Sequence, residues 1–209
     1  MPPEGLEVEN LHLWRGERHV LRGVGFALPG GACLHVAGPN GAGKTSLLRT
    51  LCGLLHPESG RLLWNGRDVY EDLAAFHGAL LYIGHEPPLK ADLSALENLR
   101  YWIGVRRRAA PRLLHAALER VGAGAWSERP ARTLSAGQKR RVALAALSLA
   151  LVPLWLLDEP TTNLDGEGQQ LVGTLIEEQL ARGAMVVAAT HHELPVAQGR
   201  VQRLELERA

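Results

Sequence analysis

Residues Gly38-Pro39-Asn40-Gly41-Ala42-Gly43-Lys44-Thr45 fit the pattern G-x-x-x-x-G-K-[ST], and their surroundings restrict the fold sharply. The apolar run Ala32 to Ala37 reads as a buried strand entering the pattern, and Gly43 to Leu55 reads as a helix leaving it. A strand, a glycine-rich turn and a helix in that order leave the first N–H groups of the helix unpaired and aimed at the turn. Backbone donors and the positive end of the helix dipole then converge on one point, which suits a phosphate. Lys44 is expected to reach the β- and γ-phosphates of a nucleotide, Thr45 to offer its hydroxyl to Mg²⁺, and Ser46 to add a phosphate contact.

A second run, Leu154 to Leu157, also reads as a buried strand and ends in Asp158-Glu159-Pro160. Ligands of open α/β sheets bind beyond the carboxyl ends of the strands. Asp158 is expected to hold the Mg²⁺ shell, and Glu159 to face the γ-phosphate and polarise the attacking water. Between these two strands, Leu134-Ser135-Ala136-Gly137-Gln138 opens a helix. Ser135 and Gln138 have the spacing of a capping box. The same helix start, with Ser135 and the small Gly137, can also receive an anion, and its separation from Lys44 favours a phosphate supplied with a second molecule. The two readings are compatible.

The remaining pattern is mixed α/β. Strands are expected at 6–14, 24–28, 61–64, 80–83 and 185–189, with turns at Pro29-Gly30-Gly31 and Asn65-Gly66. Helices are expected at 93–105, 111–121, 135–151 and 171–180. With 209 residues, 46% of them hydrophobic, the chain can bury one good core but is short for two independent domains. A formal net charge of +1 argues against a general nucleic-acid binder, and the one basic run, Arg106-Arg107-Arg108, is read as a solvated face rather than a lipid or nucleic-acid contact. Cys33 and Cys52 lie in apolar surroundings and read as buried free thiols, which fits a reducing compartment. No signal peptide is legible in Met1-Pro2-Pro3-Glu4. The apolar stretch 142–157 is shorter than the ~20 residues of a spanning helix and is broken by Pro153, so a membrane role would need a spanning partner.

Taken in order, the phosphate loop, LSAGQ and the acid pair make the chain similar to the ABC-type ATPases over essentially its whole length. The resemblance implies an α/β fold: a P-loop, RecA-like core over about 1–84 and 151–209, carrying an antiparallel β-subdomain, with a helical subdomain at about 85–150. It implies Mg²⁺ with ATP and a head-to-tail homodimer, in which Ser135, Ala136, Gly137 and Gln138 touch the ATP held by the other copy. Trp14 then falls where an aromatic stacks on adenine; a packed edge-strand tryptophan is the other reading of that position. Asp165, in Asn163-Leu164-Asp165, falls in a loop that touches the other copy. His191 matches the switch histidine, while His192 is expected to point elsewhere. A glutamine that reaches Mg²⁺ is usual before the helical part; here the position is His85, which suits water or phosphate better than Mg²⁺, unless Glu86 takes the metal role.

Leu80-Leu81-Tyr82-Ile83-Gly84-His85-Glu86-Pro87, Leu96-Glu97-Asn98-Leu99, Leu63-Trp64-Asn65-Gly66 and the residues from Ser135 to Leu144 resemble the ATP-binding subunits of haem exporters in cytochrome c maturation. That resemblance implies integral membrane partner subunits, a peripheral place on the cytoplasmic side of a bacterial inner membrane, and no nucleic-acid partner. The alternatives are an exporter of another cargo, or a non-transport ABC ATPase acting on nucleic acid or ribosomes.

Overall fold

The computed structural model describes residues 5–105 and 109–208; the arginine run at 106–108 lies outside them. The chain begins with two long strands, β1 (Gly5–Arg15) and β2 (Arg18–Pro29), then the short β3 (Cys33–Ala37) and helix α1 (Lys44–Leu51). Strands β4 (Ser59–Trp64) and β5 (Arg67–Asp68), helix α2 (Leu73–Ala79) and strand β6 (Leu80–Ile83) follow. Three helices come next, α3 (Ala95–Gly104), α4 (Pro111–Arg120) and α5 (Ala136–Leu149). Then β7 (Leu154–Asp158), α6 (Gly166–Ala181), β8 (Met185–Ala189) and β9 (Val201–Glu205) close the fold.

The strands form two sheets. One is antiparallel in the order β2-β1-β4-β5; the other has the order β6-β7-β8-β3-β9, and its paired strands run parallel. Alternation along the parallel strands divides the core in two. Leu34, Val36, Leu154, Leu156 and Val187 face one side and pack with Leu47, Leu48 and Leu51 of α1 and with Leu6, Val8 and Leu11 of the antiparallel sheet. Trp155, Leu157, Val186 and Ala188 face the other side and pack with Val172, Leu175 and Ile176 of α6 and with residues of α3, α4 and α5. Strands buried on both faces read as continuous apolar runs, which is why β3, β7 and β8 were legible in the sequence.

Several elements depart from expectation: β2 begins at Arg18 rather than 24, α6 at Gly166 rather than 171, and β5 was not expected. Helix α1 stops at Leu51, well short of the His56-Pro57 step, because Gly53 takes a left-handed turn (φ 73°) and Leu54 N–H closes back on the Arg49 carbonyl at 2.8 Å. Helix α2, not expected, is capped by the Asp72 carboxylate, which accepts from Ala75 N–H at 2.9 Å. Strand β9, also not expected, lies at the sheet edge beside β3. No helix among the described residues is long and apolar enough to cross a membrane.

Candidate active site

The phosphate loop leaves β3 and enters α1 with Gly38, Gly41 and Gly43 all at positive φ (135°, 82° and 102°), a backbone path that side chains other than glycine resist. Lys44 is only 8% exposed, and its ammonium spans the loop, donating to the carbonyls of Gly38 (2.7 Å) and Pro39 (3.2 Å). From β2, Arg18 reaches across and donates to the Gly41 carbonyl at 2.8 Å.

The acid pair at the end of β7 stands next to this loop. Thr45 Oγ1 donates to Asp158 Oδ2 at 2.9 Å. Asp158 is 2% exposed, and burial pushes its carboxyl above the usual carboxylate range; the Thr45 hydroxyl and the nearby His85 imidazole ease that cost, while Glu159 adds to it. The threonine and aspartate oxygens are hard donors of the kind Mg²⁺ takes, and a buried carboxylate to which no cationic side chain among the described residues is bonded suits a divalent ion.

Glu159 is held more tightly than any reading of the sequence suggested. Its backbone sits in the left-handed region (φ 49°) and its N–H donates to the Ala189 carbonyl at 2.8 Å. Its carboxylate accepts from the buried Thr190 hydroxyl at 3.1 Å and lies 3.0 Å from His191 Nδ1. Thr190 Oγ1 also accepts from His192 N–H at 3.1 Å, so one hydroxyl fixes both the carboxylate and the turn that carries the histidines. His192 lies close to its neighbour, with 3.8 Å between the imidazole centroids, but only His191 lines the cavity beside Lys44.

These groups share one cavity of about 620 Å³, lined by Asn40, Gly41, Gly43, Lys44, Thr45, Ser46, His85, Asp158, Glu159 and His191, with Arg15, Arg18, Val20, Arg49 and Thr162. Gly38, Pro39 and Ala42 shape the loop from behind, and Ala42 is buried. Glu86 does not line this cavity. Neither does Trp14, which is 44% exposed on the outer face of β1 with its ring stacked on His19, 4.2 Å between centroids and 6° from parallel.

The LSAGQ residues also lie outside this cavity. Ser135 Oγ accepts from Gln138 N–H (3.2 Å) and Gln138 Oε1 accepts from Ser135 N–H (2.9 Å), so the capping box forms as the sequence suggested. Gly137 is required there, since a Cβ would stand 2.5 Å from the Asn163 carbonyl oxygen. Asp165 caps α6 through Gly168 N–H and pairs with Arg141 of α5, both at 2.8 Å.

Sequence reasoning missed Arg140, which is 1% exposed. It was hidden in the basic string Lys139-Arg140-Arg141, yet it precedes the buried Ala143, Leu144 and Leu147 by three, four and seven residues, the spacing of one helix face.

With the geometry in place, comparison with known proteins decides the family. The family model described as ABC transporter matches residues 21–162, from β2 through the acid pair. The chain belongs to the ABC transporter family. Curated ABC relatives align over nearly the whole chain. The cytochrome c biogenesis ATP-binding export protein CcmA of Methylococcus capsulatus is 48% identical over 90% of this chain and 91% of its own length. The protein of the same name from Nitrosospira multiformis is 43% identical over 96% of this chain and 98% of its own. Among solved structures, an ABC transporter ATP-binding protein from Pyrococcus furiosus superposes with a TM-score of 0.82 at 24% identity, over 97% of both chains. A bacterial Atm1-family ABC exporter with ATP bound gives 0.80 at 23% identity, over 91% of this chain and 35% of that one. The fold is that of an ABC ATPase domain: the parallel sheet carries the phosphate loop, with the antiparallel sheet and the helices around it. The chain is an ATPase of ABC type, working in transport with the membrane subunits of an ABC transporter.

Proposed function

We propose that the chain is the ATP-hydrolysing subunit of an exporter complex for c-type cytochrome biogenesis, with haem as the exported cargo. The observation that carries the catalytic part is the Glu159 carboxylate, held by Thr190 and His191 on the wall of the cavity that also contains Lys44, Thr45 and Asp158. The cargo is supported by the names of relatives that align over nearly the whole chain. We further propose a peripheral place on the cytoplasmic side of a bacterial inner membrane.

In this reading the backbone N–H groups of residues 39–45 receive the β- and γ-phosphates, and Lys44 turns its ammonium from the loop carbonyls to the phosphate oxygens. Mg²⁺, when bound through Thr45 and Asp158, supplies charge neutralisation between the β- and γ-phosphates. Glu159 accepts a proton from the attacking water as its oxygen bonds to the γ-phosphorus and the bond to the ADP oxygen breaks, giving ADP and phosphate. His191, bonded to Glu159 through Nδ1, offers Nε2 to the γ-phosphate. The helical segment at about 85–150 acts as a subdomain, and in a head-to-tail dimer it brings Ser135 to Gln138 to the γ-phosphate of the partner copy. Trp14 supports the adenine on its outer ring face.

Glu159→Gln is the decisive variant. It should bind ATP with near-parental affinity, lose turnover by roughly a hundredfold or more, and accumulate as an ATP-bound dimer on size-exclusion chromatography. Near-normal turnover would remove Glu159 from the role of base. The cargo is tested separately: a strain lacking the chain should lose covalent haem attachment to periplasmic c-type cytochromes, and Glu159→Gln should fail to restore it. Intact attachment in that strain would redirect the search to another cargo.

A further inference from the structure

The second turn of α5 buries a full positive charge. Arg140 Nη1 donates to the Gly84 carbonyl at 3.1 Å and Nη2 to the His85 carbonyl at 2.5 Å, while Nε has no partner. Burial lowers the guanidinium's pKa from its ordinary value, and the Asp158 and Glu159 carboxylates act across space in the opposite direction. A guanidinium removed from water costs several kcal/mol unless its partners compensate. Two neutral carbonyls and an orphaned Nε compensate only in part. What arginine adds is a rigid fork that can hold two successive carbonyls at once.

The place of those carbonyls gives the fork its meaning. The Gly84-His85 turn follows β6, and His85 lines the cavity with Thr45 and Asp158, near enough to act electrostatically on the Asp158 carboxyl. A hollow of about 460 Å³, lined by His85, Ala136, Arg140 and Asn163, lies between this turn and the start of α5. Close packing therefore does not lock the turn to the helix, and the fork spans them. Arg140 also stands five residues beyond Ser135, about 7.5 Å along the axis of the same helix.

We propose that Arg140 is a positioning residue that acts through His85. It ties the place of the imidazole in the ATP cavity to the place of the helix whose first turn is LSAGQ, so that displacement of that helix end moves His85. This rests on the assignment of the cavity as the ATP site.

A double-mutant cycle tests it, with the chain purified together with its membrane subunits and thermal midpoints recorded for each variant. Arg140→Met keeps most of the volume and removes the fork. It should lower kcat roughly tenfold and leave KM for ATP within about threefold. In a His85→Ala background the same substitution should lower kcat by less than about twofold, because the group it positions is gone. Equal fold-losses in both backgrounds would overturn the proposal, as would a rise in KM with kcat unchanged. If Arg140→Met fails to fold, the same cycle with Arg140→Lys decides, since a single ammonium cannot hold both carbonyls as the fork does. The ATP-site reading stands or falls on Glu159→Gln, so the two failures are distinct.

Discussion

Asp158 lies beneath the phosphate loop as a buried carboxyl whose pKa stands above the ordinary carboxylate value, chiefly through desolvation. A carboxyl with a folded pKa above its unfolded one binds more protons in the folded state. Stability therefore falls as pH rises from the unfolded value through the raised one, and stays lowered above it. Asp158→Asn removes the charge and keeps an amide oxygen for the Thr45 hydroxyl. Without nucleotide or Mg²⁺, its thermal midpoint at pH 7 should lie a few degrees above the parent's, and the gap should close as pH falls through that window. Matching midpoints at pH 7 would show that burial of this carboxylate costs the fold nothing. Thr190 offers a second probe at this scale. Thr190→Val keeps the shape but removes the shorter of the two hydroxyl donors to Glu159, leaving only Thr162 at 3.5 Å, so turnover should fall by roughly tenfold or more, with Thr190→Ser recovering most of it. A threonine needed only for packing would give the opposite order, valine tolerated and serine not.

Two helices start with the same device. Ser94 and Glu97 cap α3, and Ser135 and Gln138 cap α5, each as a reciprocal capping box. Removing either serine should cost about 1 kcal/mol in denaturant unfolding. Only Ser135→Ala should also reduce ATP turnover, because the start of α3 has no assigned part in the reaction; equal turnover in the two variants would reduce the LSAGQ serine to a cap. The elements that were plain in the sequence are those whose burial leaves a period. Strands β3, β7 and β8 are buried throughout and apolar but for His35 and Asp158, and α5 has its cap spelled out. The elements that were not plain bury little. Helix α2 buries only Phe76, and no residue of β9 is fully buried, so β9 exists through its pairing with β3. The site was legible to the same degree. Lys44, Thr45, Asp158, Glu159 and His191 each sit at the end of a strand or the start of a helix, where position implies direction. Arg140 and Thr190 act through groups distant in sequence, and only folding brings those groups within reach.

Across the whole molecule, the cavity with Lys44 and Glu159 and the first turn of α5 are separate places on one chain, joined internally by the turn at His85. If His85 stands where a glutamine usually links the site to the membrane subunits, His85→Ala should diminish the ATPase stimulation produced by those subunits while nucleotide affinity changes by less than about threefold; unchanged stimulation would exclude that role. The left-handed backbone at Glu159 has a consequence of another kind. A non-glycine residue held at φ 49° costs about 1 kcal/mol, and the burial of Asp158 beside it also works against the fold. A library screened for heat resistance alone, with no demand for turnover, should drift away from both acids, and its survivors would be sturdy and inert.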